Sequence, residues 1–203
     1  MNTKRTLIIF CTFVFLLGAI LPLLPLSGET MIYDEAIRLH VLANSDSEED
    51  QALKLKVRDS VLSCVRDKIE KCTTRYEAHA TVESEIAEIE KCASDVIKNE
   101  GYDYPVKVTL TNEYYPTREY EDVRMPAGTY SSLRVLIGNA DGQNWWCVLY
   151  PPLCTKSAEA KKTLSESGFT PSQIRILTDK ESPKYILKFR VLEALEEIIE
   201  NFG

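Results

Sequence analysis

The chain has 203 residues, with 24 lysine and arginine side chains against 31 aspartate and glutamate, and a formal net charge of −7. An acidic surface repels phosphate backbones and anionic lipid heads, which argues against nucleic acid as a partner. There are only two histidines, and neither His40 nor His79 has a second His or Cys at metal-ligand spacing, so no zinc site and no cofactor are expected. G-x-S-x-G, P-loop and dinucleotide fingerprints are missing from the sequence as well.

Lys4 and Arg5 precede an apolar run from Leu7 to Leu26, interrupted by Thr12, Gly18, Pro22 and Pro25. Two cations ahead of such a run form the n- and h-regions of a secretory signal, and the full run is also about long enough to span a bilayer. No A-x-A cleavage site follows, so a cleaved signal peptide and a retained N-terminal anchor both stay open for residues 1–28. Either one sends residues 29–203 out of the cytoplasm, and their number suits a single extracytoplasmic domain. That remainder carries 22 basic and 31 acidic side chains, because Lys4 and Arg5 are the only charges before it.

Of the six cysteines, Cys11 lies in the apolar run. The five that remain are an odd number, which demands a free thiol or a bond to another chain. Cys147 and Cys154 are close in sequence with Pro151-Pro152 turning the chain between them, and they are the expected disulfide. Cys64, Cys72 and Cys92 fall on helical segments and read as small buried apolar residues, with their pairing open.

Met31 to Ala43 reads as a strand, since Ile37, Leu39 and Val41 alternate with Arg38, His40 and Leu42. Asn44-Ser45-Asp46-Ser47-Glu48-Glu49 then turns into a helix start, and the pairs Ser45 with Glu48 and Ser47 with Asp50 both have capping spacing. The helix spans about Glu48 to Lys71, with Leu53, Val57, Val61, Val65 and Ile69 recurring every four residues. A second helix follows from about Glu77 to Asn99, with Val82, Ile86, Ile89, Ala93 and Val96 on one face and Gly101 ending it. The two should pack as an antiparallel hairpin.

From Tyr104 the period changes to two. Val106, Val108 and Leu110 mark a strand, and Tyr114 to Val123 alternates more loosely around Pro116, an edge or turn signal. Tyr130 to Ile137 and Asn144 to Tyr150 are further strands joined through Gly138-Asn139-Ala140-Asp141-Gly142, a hairpin connector. Ser157 to Ser167 reads as a short helix, and Pro183 to Phe202 as a last one opened by Ser182-Pro183. Strand, two helices, three or four strands and a helix predict an α+β fold. The expected architecture is a mostly antiparallel sheet of four to five strands, with the long helical hairpin and the C-terminal helix packed on one face.

Two segments carry more polar and aromatic character than structure requires. Capping accounts for Ser45, Asp46 and Ser47, but not for Arg38 and His40, side by side on one face of a strand. Alternation sends Trp145 and Trp146 to opposite faces, so one fills the core while the other needs either a covering element or a partner. The lysine- and arginine-bearing stretch Lys54, Lys56, Arg58 and Asp59 reads as a solvated helix face. A thiol–imidazole pair of Cys147 and His40 is the enzymatic alternative, and it competes with the disulfide.

These two segments resemble the stage II sporulation protein R family of endospore-forming bacteria. The first motif is Arg38-Leu39-His40-Val41-Leu42-Ala43-Asn44-Ser45-Asp46 with Asp50-Gln51, Leu53-Lys54-Leu55-Lys56 and Val57-Arg58-Asp59. The second is Gly128, Tyr130, Leu133-Arg134, Gly138, Gly142, Asn144-Trp145-Trp146-Cys147-Val148 and Pro151-Pro152-Leu153-Cys154, with Tyr150 where the family leads one to expect Phe. The resemblance runs from about Tyr33 and is least specific on the surface of the helical hairpin and from Thr155 to Lys180.

It implies a signalling protein made in the forespore and exported into the space between two membranes. There it would activate a membrane-embedded aspartic protease of the mother cell, which then cleaves an inactive sigma-factor precursor. On this reading the protein is not an enzyme, and Arg38, His40, Asn44, Asp46, Trp145 and Trp146 form the candidate surface for the protease. The alternative is an extracytoplasmic thiol-dependent or cell-wall-acting enzyme.

Overall fold

Ile37–Leu42 forms strand β1, which has neighbours on both sides in the computed structural model. The structure describes residues 9–15, 18, 32–156 and 159–179. Most of the apolar N-terminal run and the whole expected helix from Pro183 to Phe202 lie outside the described residues. Among the described residues no helix is long and apolar enough to cross a membrane. The first strand is shorter than expected, because residues 32–34 are helical and pairing begins at Ile37.

Helix α1, Glu48–Ile69, is opened by Ser47, whose side chain accepts from the Asp50 N–H at 3.2 Å. Its four-residue stripe, Leu53, Val57, Val61, Val65 and Ile69, is at most 2% exposed and faces the sheet. The expected second helix is two: α2, Arg75–Ser84, and α3, Ile86–Asn99. The break falls at Glu85, which leaves helical geometry at φ −99° and ψ 1°. The bend lets Ala78 and Val82 of α2 and Ile89, Ala93 and Ile97 of α3 all reach one core. Helix α3 ends in a Schellman arrangement: Tyr102 N–H donates to Ile97 O and Gly101 N–H to Lys98 O, both at 3.0 Å, with Gly101 at φ 85°.

The remaining strands are β2, Val106–Tyr115; β3, Arg118–Tyr120; β4, Val123–Met125; β5, Gly128–Ile137; and β6, Asn144–Tyr150. The main sheet has the order β2-β5-β1-β6, while β3 and β4 form a separate antiparallel ribbon. Pro116 stops β2, since it has no N–H to donate. Pairings β2–β5 and β1–β6 are antiparallel, and among the described residues only β1–β5 is parallel. Parallel neighbours need a long crossover, and α1, α2 and α3 supply it. The fold is α+β, as the order of elements implies.

Two expectations need correcting. The connection through residues 138–142 does not close a hairpin, because β1 lies between β5 and β6, and both faces of the sheet are covered. Leu39, Val41, Leu133 and Val135 pack under α1, α2 and α3. On the other face Tyr115, Tyr130 and Val148 join Val123 and Met125 of the ribbon. They meet helices α4, Leu153–Lys156, α5, Ala160–Glu166, and α6, Pro171–Thr178, through Leu153, Leu164 and Leu177. Helix α6 was not expected, although Thr170-Pro171-Ser172-Gln173 carries its signal. Thr170 and Gln173 form a reciprocal capping box, with proline in the first turn.

Candidate functional site

Arg38 and His40 point to the face of β1 opposite the long helices, and both are buried, at 0% and 5% exposure. The sequence placed them on a half-solvated polar face. Strand alternation assigns the face correctly but does not report its cover, which arrives from β2, β3 and β5. In this structure Arg38 therefore offers no contact surface.

The Arg38 guanidinium is enclosed by three phenol rings, with centroids at 4.3 Å for Tyr115, 5.0 Å for Tyr130 and 5.6 Å for Tyr120. Its Nε–H donates to the Cys147 carbonyl at 3.2 Å and its Nη2–H to the Tyr120 hydroxyl at 2.6 Å. Ring faces attract a cation, and a desolvated pair contributes about 2 kcal/mol. Burial pushes the Tyr115, Tyr120 and Tyr130 phenols above their ordinary value, so all three remain protonated donors at neutral pH.

A polar chain leads from this box to the sheet surface. Ser132 donates its hydroxyl to Glu113 Oε2 at 2.8 Å, so the Tyr115 hydroxyl is left to donate to Ser132 Oγ at 2.6 Å. The other Glu113 oxygen accepts from His40 Nδ1–H at 2.8 Å, and Arg134 Nε lies 3.3 Å from it. The second ring nitrogen of His40 meets the Asn144 side-chain amide at 2.8 Å. Burial alone would raise the Glu113 carboxyl, but the bonds from His40 and Ser132 outweigh it and hold the group below its ordinary value.

A second polar assembly holds the β1–α1 turn against the β5–β6 connection. Asn44 Nδ2 donates to Asp50 Oδ2 at 2.8 Å, and Ser45 gives its hydroxyl to the same oxygen. Asn44 Oδ1 accepts from the Asn139 N–H at 3.0 Å, and Asp46 Oδ1 accepts from the Gln143 N–H at 2.6 Å. Lys54, read as solvated, is 5% exposed. Its ammonium donates to Gln51 Oε1 at 2.6 Å and to the Gln143 carbonyl at 2.9 Å, and burial holds it below the ordinary lysine value. Asp50, 4% exposed, is raised by burial but lowered further by bonds from Ser45, Asn44 and Tyr104, with a net downward shift.

Trp145 and Trp146 do fall on opposite faces, and each is half-buried under an arginine. Arg58 of α1 lies 4.2 Å from one Trp145 ring, and Arg118 of β3 lies 4.0 Å from one Trp146 ring. Cys147 is bonded to Cys154 across a Cα–Cα distance of 5.7 Å. A groove of about 370 Å³ runs between Trp145 with this disulfide and Arg58, Leu62 and Arg66 of α1. A second, of about 180 Å³, lies beyond the disulfide beside Tyr120, Glu121 and Trp146.

The structure thus joins Arg38, His40 and Trp146 in one assembly, Asn44 and Asp46 in another, and sets Trp145 apart on the helical side. Sequence reasoning missed Glu113, Tyr115, Arg118 and Tyr120. The alternation of Val108 and Leu110, continued along β2, puts Glu113 and Tyr115 on the face of Arg38; nothing local marks Arg118 or Tyr120.

A model of the stage II sporulation protein R family matches residues 33–160, which take in both polar assemblies and the paired tryptophans. Stage II sporulation protein R of Bacillus subtilis (strain 168) is 39% identical over 162 residues, covering 74% of this chain and 71% of that protein. The chain belongs to the stage II sporulation protein R family. Membership gives it a role in sporulation. No solved structure matches the chain.

Proposed function

We propose that this protein is an exported signal of sporulation that acts by binding. It would cross from the forespore into the intermembrane space, engage a membrane-embedded aspartic protease, and so trigger cleavage of an inactive sigma-factor precursor in the mother cell. Membership of the family carries this reading, because the matched residues 33–160 contain both polar assemblies of the candidate site. A binding protein changes its partner only through differential affinity for one state of it, so the surface has to be held in one shape. The buried Arg38 and His40 networks supply that rigidity from behind.

Trp145, Trp146 and the exposed Asp46, with Asn44 at the same turn, are the proposed contacts, and Arg38 and His40 are positioning residues. Two contacts speak against the thiol-dependent form of the enzymatic alternative. Cys147 is bonded to Cys154 on the helical face, whereas His40 is bonded to Glu113 and Asn144 on the other.

Co-expression of residues 29–203 with a candidate membrane protease and its precursor substrate tests the proposal. Cleavage should depend on this chain. Equal cleavage with and without it refutes the activator reading. Full activation by a folded Trp145→Ala, Trp146→Ala, Asp46→Ala variant refutes the assigned surface.

A further inference from the structure

Cys64 on α1 and Cys92 on α3 stand on facing sides of two antiparallel helices. Two contacts define the register. Ser60 Oγ donates to the Cys92 carbonyl at 3.2 Å, and the Cys64 thiol reaches the Glu88 carbonyl at 3.9 Å. Ser60 is therefore level with Cys92, and Cys64 with Glu88, one helical turn along. Every Cα–Cβ bond in a helix tilts toward that helix's own N-terminus. The tilt carries Cys64 toward the level of Ser60, and it carries Cys92 toward the level of Glu88. Two side chains offset by one turn on antiparallel helices thus converge, and the two thiols interact. Both are half-buried, neither sealed in the core nor freely exposed.

We propose that Cys64 and Cys92 are a disulfide-forming pair, a second covalent bond of the chain that staples α1 to α3 when the protein meets a disulfide-class oxidant. Only the place where it meets such an oxidant rests on the export reading; the geometry does not. Cys72 is engaged elsewhere, its sulfur 3.3 Å from the Lys68 carbonyl and 3.6 Å from Thr81 Oγ1, and it stays the unpaired thiol. The odd count of cysteines beyond the apolar run is thereby resolved as two bonds and one free thiol.

The exchange balances. The Cys92 thiolate attacks one sulfur of the oxidant, forming a mixed disulfide and expelling one thiolate. The Cys64 thiolate then attacks the Cys92 sulfur, closing the bond and expelling the second. The protons of the two cysteines pass to the two expelled thiolates. The cysteine sulfurs are oxidised, and the oxidant's disulfide is reduced to two thiols. Burial, reinforced by the hydrogen bond and charge of Cys92, pushes the Cys64 thiol up to about 12, so Cys64 is the slower attacker and takes the second step.

The full chain, purified reduced in detergent, is treated with glutathione disulfide. Free thiols are then alkylated and the protein is digested without reduction for mass spectrometry. The expected product is a peptide pair joined through Cys64 and Cys92, with Cys72 alkylated and the joined pair lost in Cys92→Ser. Recovery of Cys64 and Cys92 alkylated, as separate glutathione adducts, or joined to other cysteines overturns the proposal. The readout is chemical, so its failure leaves the activation reading standing, and failed activation leaves this bond standing.

Discussion

Arg38 lies 4.3 Å from the ring centroid of Tyr115, and the Tyr115 hydroxyl begins the chain through Ser132 and Glu113 that ends on His40. Two residues of one strand are thus linked twice: along the backbone of β1, and through side chains of β2 and β5. The positive charge of Arg38 and the carboxylate of Glu113 are separated by a phenol and a hydroxyl rather than paired directly. Five strands contribute to this assembly, which makes it a structural keystone of that face of the sheet.

Arg38→Ala should lower stability by about 3–5 kcal/mol, because it empties the phenol box and removes the bonds to the Tyr120 hydroxyl and the Cys147 carbonyl. Arg38→Met keeps most of the volume and removes the charge, and it should lose less than half as much. Urea denaturation of the two variants separates volume from charge. Equal losses would show that the charge carries the stability.

Acid should destabilise the fold through Glu113 and Asp50. Both carboxyls are held below their ordinary values of 4.5 and 3.8 in the folded state. Their stabilisation is complete above those values. As pH falls the unfolded chain takes up protons first, so stability declines through and below that range. Glu113→Gln should flatten the upper part of the decline. An unchanged pH profile of the urea midpoint in that variant would contradict the assignment.

Glycine is required unequally. A Cβ at Gly142 would collide with the Ser45 carbonyl, a backbone atom of the β1–α1 turn. Gly142→Ala should therefore cost about 1–3 kcal/mol by overpacking. Gly101 meets nothing within 4 Å but sits at φ 85°, so Gly101→Ala carries only backbone strain, about 1–2 kcal/mol. Thermal unfolding of the two, compared with Asp46→Ala, reports how rigidly the turn is held.

Reduction of Cys147–Cys154 should remove about 2–3 kcal/mol, the value for a short closed loop. With both proteins in dithiothreitol, which also opens the proposed Cys64–Cys92 bond, a Cys147→Ser, Cys154→Ser variant should unfold at the denaturant midpoint of the wild-type chain.

On the proposed function, Arg118→Ala should lower protease activation about tenfold, because it releases the ring of Trp146, a proposed contact, from the guanidinium stacked on it. Its half-buried side chain lies over Trp146 at 4.0 Å on the short β3–β4 ribbon, so the main sheet should stay folded. Precursor cleavage and circular dichroism on the same preparation test both halves. Wild-type cleavage by the folded variant would show that the Trp146 contact does not depend on Arg118.

Local signals made much of the framework legible. Ser47 caps α1 and Gly101 closes α3 because capping depends on a few neighbouring residues. The stripe from Leu53 to Ile69 reached the core because a period of four can bury only one side of a helix. The break at Glu85 was hidden, since the apolar spacing through Val82, Ile86 and Ile89 suits a straight helix equally well. Lys54 looked solvated because nothing near it in sequence supplies its second acceptor, the Gln143 carbonyl 89 residues away.

By itself the sequence determined the family, the α+β order of elements, the capped turn after β1 and the opposite faces of Trp145 and Trp146. Each follows from neighbours or from a repeat period. Only the tertiary structure decided that Arg38 and His40 are interior, that each tryptophan lies under an arginine, and that Cys64 converges on Cys92. Period two states which face of a strand a side chain takes, but the cover of that face comes from residues far along the chain. Tyr120 is 82 positions from Arg38, and Glu113 is 73 from His40.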